Sequence, residues 1–240
     1  MNKPKITTLI LIICIIILGL YAAGEVNYFS SKVVTEKNMG SPVIKIPAIG
    51  VEEKINNVSL SQGVMHDTNS FTPTHGDIIL SGHRTLQGSP FLRLNELNNK
   101  DNITLEWPGI GEVNYTITNK TIVEPTTHIN ATSNGNHIYL VTCDPIGSTA
   151  HRLIIEGEEN GIGPLNDKII QNNPQEYNAL LIAIVFLTLG LIFSYFYYKT
   201  DRIYIVTTIL FISAILFYFY LFPIDSNIIY EKILWLNGGI

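Results

Sequence analysis

Three stretches of this chain avoid charge altogether, and between them the apolar positions come in short bursts rather than in long helical stripes. Ile6 to Gly24 runs 19 residues without Asp, Glu, Lys or Arg, and Leu9 to Leu20 within it is almost wholly aliphatic. Tyr177 to Tyr198 and Ile203 to Ile224 are two more such windows, each of 22 residues. A helix needs about 20 apolar residues to cross the hydrocarbon of a bilayer, so the pattern predicts one N-terminal and two C-terminal transmembrane helices. Only Lys199, Thr200, Asp201 and Arg202 separate the last two, which makes them a tight hairpin with a charged tip. Ala22, Ala23 and Gly24 would also suit the end of a cleaved signal peptide; a retained anchor is the preferred reading.

Between the first and second windows the period changes. Short apolar or alternating runs are broken by Gly, Pro, Asn and Asp, which is the signature of strands. The expected strands are Val43 to Ile46, Val51 to Ile55, Asp77 to Gly82, Asn102 to Trp107, Val113 to Lys120, Thr121 to Glu124, His137 to Cys143 and Arg152 to Glu156. Phe91, Leu94 and Leu97 recur three apart and predict a short helix over Pro90 to Asn98. Eight short strands suit a closed barrel, which leaves no exposed sheet edge, so the fold class is mainly β. The chain divides into an anchor (1–24), a stalk (25–42), a barrel (43–157), a linker (158–176), a second span (177–198), a turn (199–202), a third span (203–224) and a tail (225–240). Tyr230 and Trp235 in that tail suit a membrane interface.

Charge fixes an expected orientation. With Lys3, Lys5, Lys199 and Arg202 on the cytoplasmic side, the N-terminus and the hairpin tip both obey the positive-inside rule. The barrel and the tail then lie outside the cell membrane, and the chain is multi-pass. Residues 25–176 hold 10 basic and 17 acidic side chains (10 − 17 = −7), and no run of Lys or Arg occurs. This excludes a nucleic-acid partner, which needs clustered cations. The two cysteines make no disulfide framework, and no His or Cys spacing fits a metal site. Sequons at Asn57, Asn102, Asn114, Asn119 and Asn130 all fall in the segment placed outside.

Cys14 sits within the first apolar window, where it serves as a small apolar filler. Cys143 closes an apolar strand that Asp144 and Pro145 end abruptly, so its thiol lies at a strand terminus. Position alone leaves a reactive thiol and an inert packed one equally open. Nearby imidazole or guanidinium would favour the thiolate, and two of the four arginines follow histidines, in His83-Arg84 and His151-Arg152. Arg152 begins the strand after Cys143, and His83 ends an earlier strand. His151 competes with His83 as a base, and Arg84 with Arg152 as a cation.

The run Tyr139-Leu140-Val141-Thr142-Cys143 resembles the Thr-Leu-x-Thr-Cys signature of sortases, matching at Leu140, Thr142 and Cys143 and departing at Tyr139. Thr74 to Arg84 is similar to the segment that ends in the family's catalytic histidine, and Val43 to Val51 to its first strand. The resemblance covers Val43 to Gly157. It implies an eight-stranded sortase-like barrel, Cys143 as nucleophile, His83 as general acid and base, and Arg152 as the cation near the substrate carbonyl. It further implies a transpeptidase of the cell envelope that acts on exported proteins bearing a Leu-Pro-x-Thr-Gly-like sorting signal, passes them to an amine acceptor and needs no cofactor. A hydrolase using the same thiol and a non-catalytic binding module are the competing functions. The pilus-assembling class carries an Asp-Pro-aromatic lid before the barrel, and residues 25–42 contain no Asp-Pro.

Overall fold

The computed structural model describes residues 4–36, 40–171, 175 and 177–233, and the chain divides into two compact units. The larger unit is a closed barrel. Its strands are β1 (Val43–Ile46), β2 (Val51–Asn56), β3 (Val64–His66), β4 (Ile78–Ser81), β5 (Asn102–Trp107), β6 (Gly111–Val123), β7 (His137–Asp144) and β8 (His151–Gly163). Around the barrel they run β1-β2-β3-β4-β7-β8-β6-β5, and β5 pairs with β1 to close it. β2 with β3 and β4 with β7 are parallel; the other pairs are antiparallel.

Alternation along each strand decides what lies inside. On β7, Ile138, Leu140 and Thr142 are buried while His137, Tyr139, Val141 and Cys143 are not, so Cys143 belongs to the outer face of the wall. Inward side chains from every strand, among them Ile44, Ile55, Val64, Leu80, Leu105, Tyr115, Leu140 and Ile155, form one core with Phe91, Leu94 and Leu97 beneath a long connection. Phe91 sits on a turn, Leu94 on a 3-10 helix, Leu94–Glu96, and Leu97 caps that helix in extended backbone, in place of the expected α-helix. A repeat of three fits the 3-10 period.

Three details of the strands differ from the sequence reading. The expected strands Val113 to Lys120 and Thr121 to Glu124 are one strand, because a register shift between Ile117 and Asn119 inserts a residue and flips the apolar phase. β3 was not expected; three residues are too few to show alternation. β8 continues to Gly163, past the barrel end expected at Gly157, because its partner β6 extends equally far and pairs Glu112 with Gly163. Helix α2 (Asp167–Gln171) follows.

The other unit is helical. Helix α1 runs Ile6–Glu36, so much of the expected stalk is a continuation of the first helix. With it are α3 (Asn178–Phe196), α4 (Arg202–Leu221) and α5 (Ser226–Ile233). Ile6–Lys32, α3 and α4 are each long and apolar enough to cross a membrane. Leu18, Phe196 and Phe211 are among many large apolar side chains left exposed, a belt suited to lipid. Ala22, Ala23 and Val26 of α1 pack with Ala179 and Ala183 of α3 and Ile212 and Leu216 of α4.

Polar clasps fix the helical unit. Thr8 Oγ1 donates to Asp201 Oδ2 at 2.7 Å and lies 3.0 Å from the Tyr197 hydroxyl. Asn27 donates to the Ile224 carbonyl at 3.0 Å and accepts from its N–H at 2.9 Å. The start of α1 therefore lies beside the hairpin tip. Lys3, Trp235 and parts of the expected stalk, linker and tail lie outside the described residues.

Candidate active site

Three neighbouring strands bring the sequence-selected residues to one rim. β4 and β7 are parallel, with Ser81 beside Val141, and the Gly82 N–H continues that ladder to the Val141 carbonyl at 3.1 Å. Two residues further along each chain stand His83 and Cys143. β7 and β8 are antiparallel, and their register sets Cys143 directly opposite Arg152 and Asp144 opposite His151. Directly opposed residues carry their side chains on the same face, about 4.5–5.5 Å apart at Cβ. Cys143 and Arg152 thus share the outer face, with the chain that bears His83 on the flank of Cys143 away from Arg152.

Hydrogen bonds lock this arrangement on both sides of His83. Before it, Thr142 Oγ1 points inward and donates to the Gly82 carbonyl at 2.8 Å. After it, Arg84 Nη1 donates to the Cys143 carbonyl at 3.0 Å and to Asp144 Oδ1, while Nη2 donates to Asn95 Oδ1 at 2.8 Å. The His83 carbonyl accepts from the Phe91 N–H at 3.1 Å. Gly82 is needed here, since a Cβ would come within 2.7 Å of the Phe91 ring.

His83 is 8% exposed, and burial lowers its pKa to about 4. A neutral imidazole at neutral pH can accept a proton from a thiol and return it to a leaving amine. Cys143 is partly exposed and free, as a nucleophile must be. Arg152 Nη1 donates to the carbonyls of Thr149 and His151, each at 3.1 Å. Its Nε and Nη2 have no partner among the described residues, so they can meet an oxyanion.

The rival residues are accounted for differently. Arg84 is 4% exposed and its guanidinium is committed, and Asp144 pairs with Arg84, not with Arg152. His151 lies 3.8 Å from Glu124 at the surface. The Arg84–Asp144–Asn95 brace was not read from the sequence; the only signal was an arginine directly after His83 and an aspartate directly after Cys143. Two further histidines hold loops and strand ends. His137 Nδ1 is 3.1 Å from Asp77 Oδ1 at the start of β7, and His66 Nε2 lies 3.0 Å from the Phe71 carbonyl. Among the described residues no group of His, Cys, Asp or Glu could hold a metal ion.

Residues 42–160 match the family model described as Sortase domain. No curated protein matches the chain. Among solved structures, sortase C-1 from Actinomyces oris is 26% identical over 52% of this chain and 76% of its own, with a TM-score of 0.47. A lid mutant of sortase A from Corynebacterium diphtheriae is 25% identical over 52% of this chain and 73% of its own, also at 0.47. Sortase C from Clostridium perfringens, solved with the C-terminal cell wall sorting motif, is 23% identical over 50% of this chain and 70% of its own, at 0.45.

Proposed function

Because residues 42–160 are a domain of the sortase family, we propose that this chain is a membrane-anchored cysteine transpeptidase. Its substrates are exported proteins with a C-terminal, Leu-Pro-x-Thr-Gly-like sorting signal, and its acceptor is an amine at the cell surface. The observation that carries the reading is the convergence of His83, Cys143 and Arg152 at one end of three adjacent strands.

Cys143 is the nucleophile. His83 takes the thiol proton as Sγ adds to the scissile carbonyl carbon, and Arg152 donates hydrogen bonds to the developing oxyanion. The C–N bond then breaks, and His83 gives its proton to the departing amine, leaving a thioacyl enzyme. An acceptor amine adds to that carbonyl, loses a proton to His83 and expels the Cys143 thiolate, which recovers the proton. No cofactor enters these steps. The barrel works on the outer side of the membrane, with Lys5, Lys199 and Arg202 on the cytoplasmic side. The Thr8–Asp201 clasp supports this topology by joining the start of α1 to the hairpin tip.

The full chain in detergent, given a sorting-signal peptide and candidate amines, will release the C-terminal fragment and form a new amide, and Cys143→Ala will abolish both. Free acid alone would replace transpeptidation with hydrolysis. No cleavage of any sorting-signal peptide would remove the reading. Labelling of single cysteines placed in the hairpin tip and in the barrel, from outside intact cells, tests the topology: only the barrel site should react.

A further inference from the structure

We propose that Arg84 is a positioning residue for Cys143, acting through the Cys143 carbonyl and the Asp144 carboxylate; this rests on the assignment of Cys143 as the nucleophile. Arg84 makes no contact that would place it on a substrate carbonyl. Instead it follows His83 in the chain and binds the peptide group of Cys143 and the side chain of the next residue. Asn95 Oδ1 takes its second arm, and the Leu92 carbonyl lies 3.5 Å from Nε. One planar cation thus joins three chain segments at the point where the thiol is carried.

Two physical arguments separate this role from plain packing. The first is geometric. Thr142 ties the residue before Cys143 to Gly82, and Arg84 ties Cys143 itself to the residue after His83. The two backbones are braced on either side of the reacting side chains, and a small misplacement of reacting groups is costly in rate. The second is electrostatic. Asp144 adjoins Cys143, and its side chain is 19% exposed; unpaired, that carboxylate would disfavour a thiolate. Arg84 cancels it. The other charged or titratable groups around this rim are His83, Arg152, His151 and Glu124; the Asp144 carboxylate pairs with Arg84, and His151, its neighbour in the ladder, lies beside Glu124 instead. A buried ion pair is a costly way to fill space, since an apolar replacement is often as stable.

The experiment uses the full chain in detergent. Alkylation of Cys143 by iodoacetamide is followed at pH 7 by peptide mass spectrometry, which separates it from Cys14, alongside kcat and KM for a sorting-signal peptide. Arg84→Gln should slow alkylation and kcat by about tenfold, with KM within about twofold. Asp144→Asn, which keeps an acceptor and removes the charge, should speed alkylation by about threefold or more. The double variant should return alkylation toward the parent rate. An Arg84→Gln protein that is folded, melts lower and keeps the parent alkylation rate and kcat would reduce Arg84 to packing and overturn the proposal. If Arg84→Gln does not fold, Asp144→Asn decides, and an unchanged alkylation rate overturns it. A parent chain with no turnover would sink the proposed function, while the alkylation measurements would still judge Arg84.

Discussion

Cys143 on β7 and Arg152 on β8 are directly opposed residues of one antiparallel ladder, so their side chains leave the same face of the sheet by backbone pairing and not by a flexible loop. Removing a donor from a developing oxyanion typically costs about 10²–10³ in rate. Arg152→Ala should therefore lower kcat by about that factor and leave the β-sheet circular dichroism unchanged. Arg152→Lys should recover only part, since an ammonium cannot bond the loop carbonyls and an oxyanion in one plane. Steady-state assays with a sorting-signal peptide check both.

Thr142 offers a test of the brace on the opposite side of His83. Its buried hydroxyl donates to the Gly82 carbonyl at 2.8 Å. Thr142→Val keeps the shape but removes that bond, and should destabilise the barrel by about 1–2 kcal/mol. Thr142→Ser should restore most of it. Thermal unfolding of the three proteins reads the difference.

His83 makes stability depend on pH. Burial holds its pKa at about 4 against an ordinary 6.5, so the folded state resists a proton that the unfolded chain accepts. The contribution is complete above pH 6.5 and is lost as pH falls through 6.5 toward 4. Over that window the loss amounts to about 3 kcal/mol. His83→Gln should flatten this part of the pH profile of thermal unfolding while abolishing turnover.

Asp77 anchors the far end of β4. It accepts from Thr132 N–H at 2.9 Å and Thr132 Oγ1 at 2.7 Å, and from His137 N–H at 3.1 Å and His137 Nδ1 at 3.1 Å. Burial raises its pKa, but these bonds outweigh it and hold the carboxyl below the usual range. Its stabilisation is present above the ordinary carboxylate pKa and is lost as pH falls through the lowered one. Gly135 leaves room for it, since a Cβ there would sit 1.8 Å from Asp77 Oδ1. Asp77→Ala and Gly135→Ala should each cost about 2–3 kcal/mol. Because Cys143 is at the other end of β7, about 20 Å along the strand, kcat of the folded fraction should stay within twofold.

Asn27 tests the helical unit. Asn27→Leu loses both bonds to the Ile224 peptide group and should destabilise the bundle by about 1 kcal/mol, at the modest scale of polar contacts between membrane helices. Helical circular dichroism of the detergent-solubilised chain during heating will show the shift.

Much of this was legible along the chain because it depends on local pattern. The charge-free windows give the spans, since a helix of fixed rise must match a bilayer. Most strands show their two-residue alternation, and β1 and β5 keep the limits expected of them. The bulge near Thr118 hid the unity of β6, because one extra residue reverses the phase that reveals a strand.

The site divides in the same way. The sequence by itself determined the inventory: one thiol at a strand end, histidines followed by arginines, and an order of motifs similar to one family. The resemblance preferred Arg152 to Arg84, but only the tertiary structure shows which arginine stands opposite Cys143 in the ladder and which is buried against its carbonyl. Arg84 and Arg152 look alike in sequence, each following a histidine. The difference arises because β7 pairs antiparallel with β8 and parallel with β4, so Arg152 stands across the ladder from Cys143 while the Arg84 guanidinium is buried against the Cys143 carbonyl. Strand pairing is a long-range choice, made by closing the barrel around its apolar core, and no local window contains it.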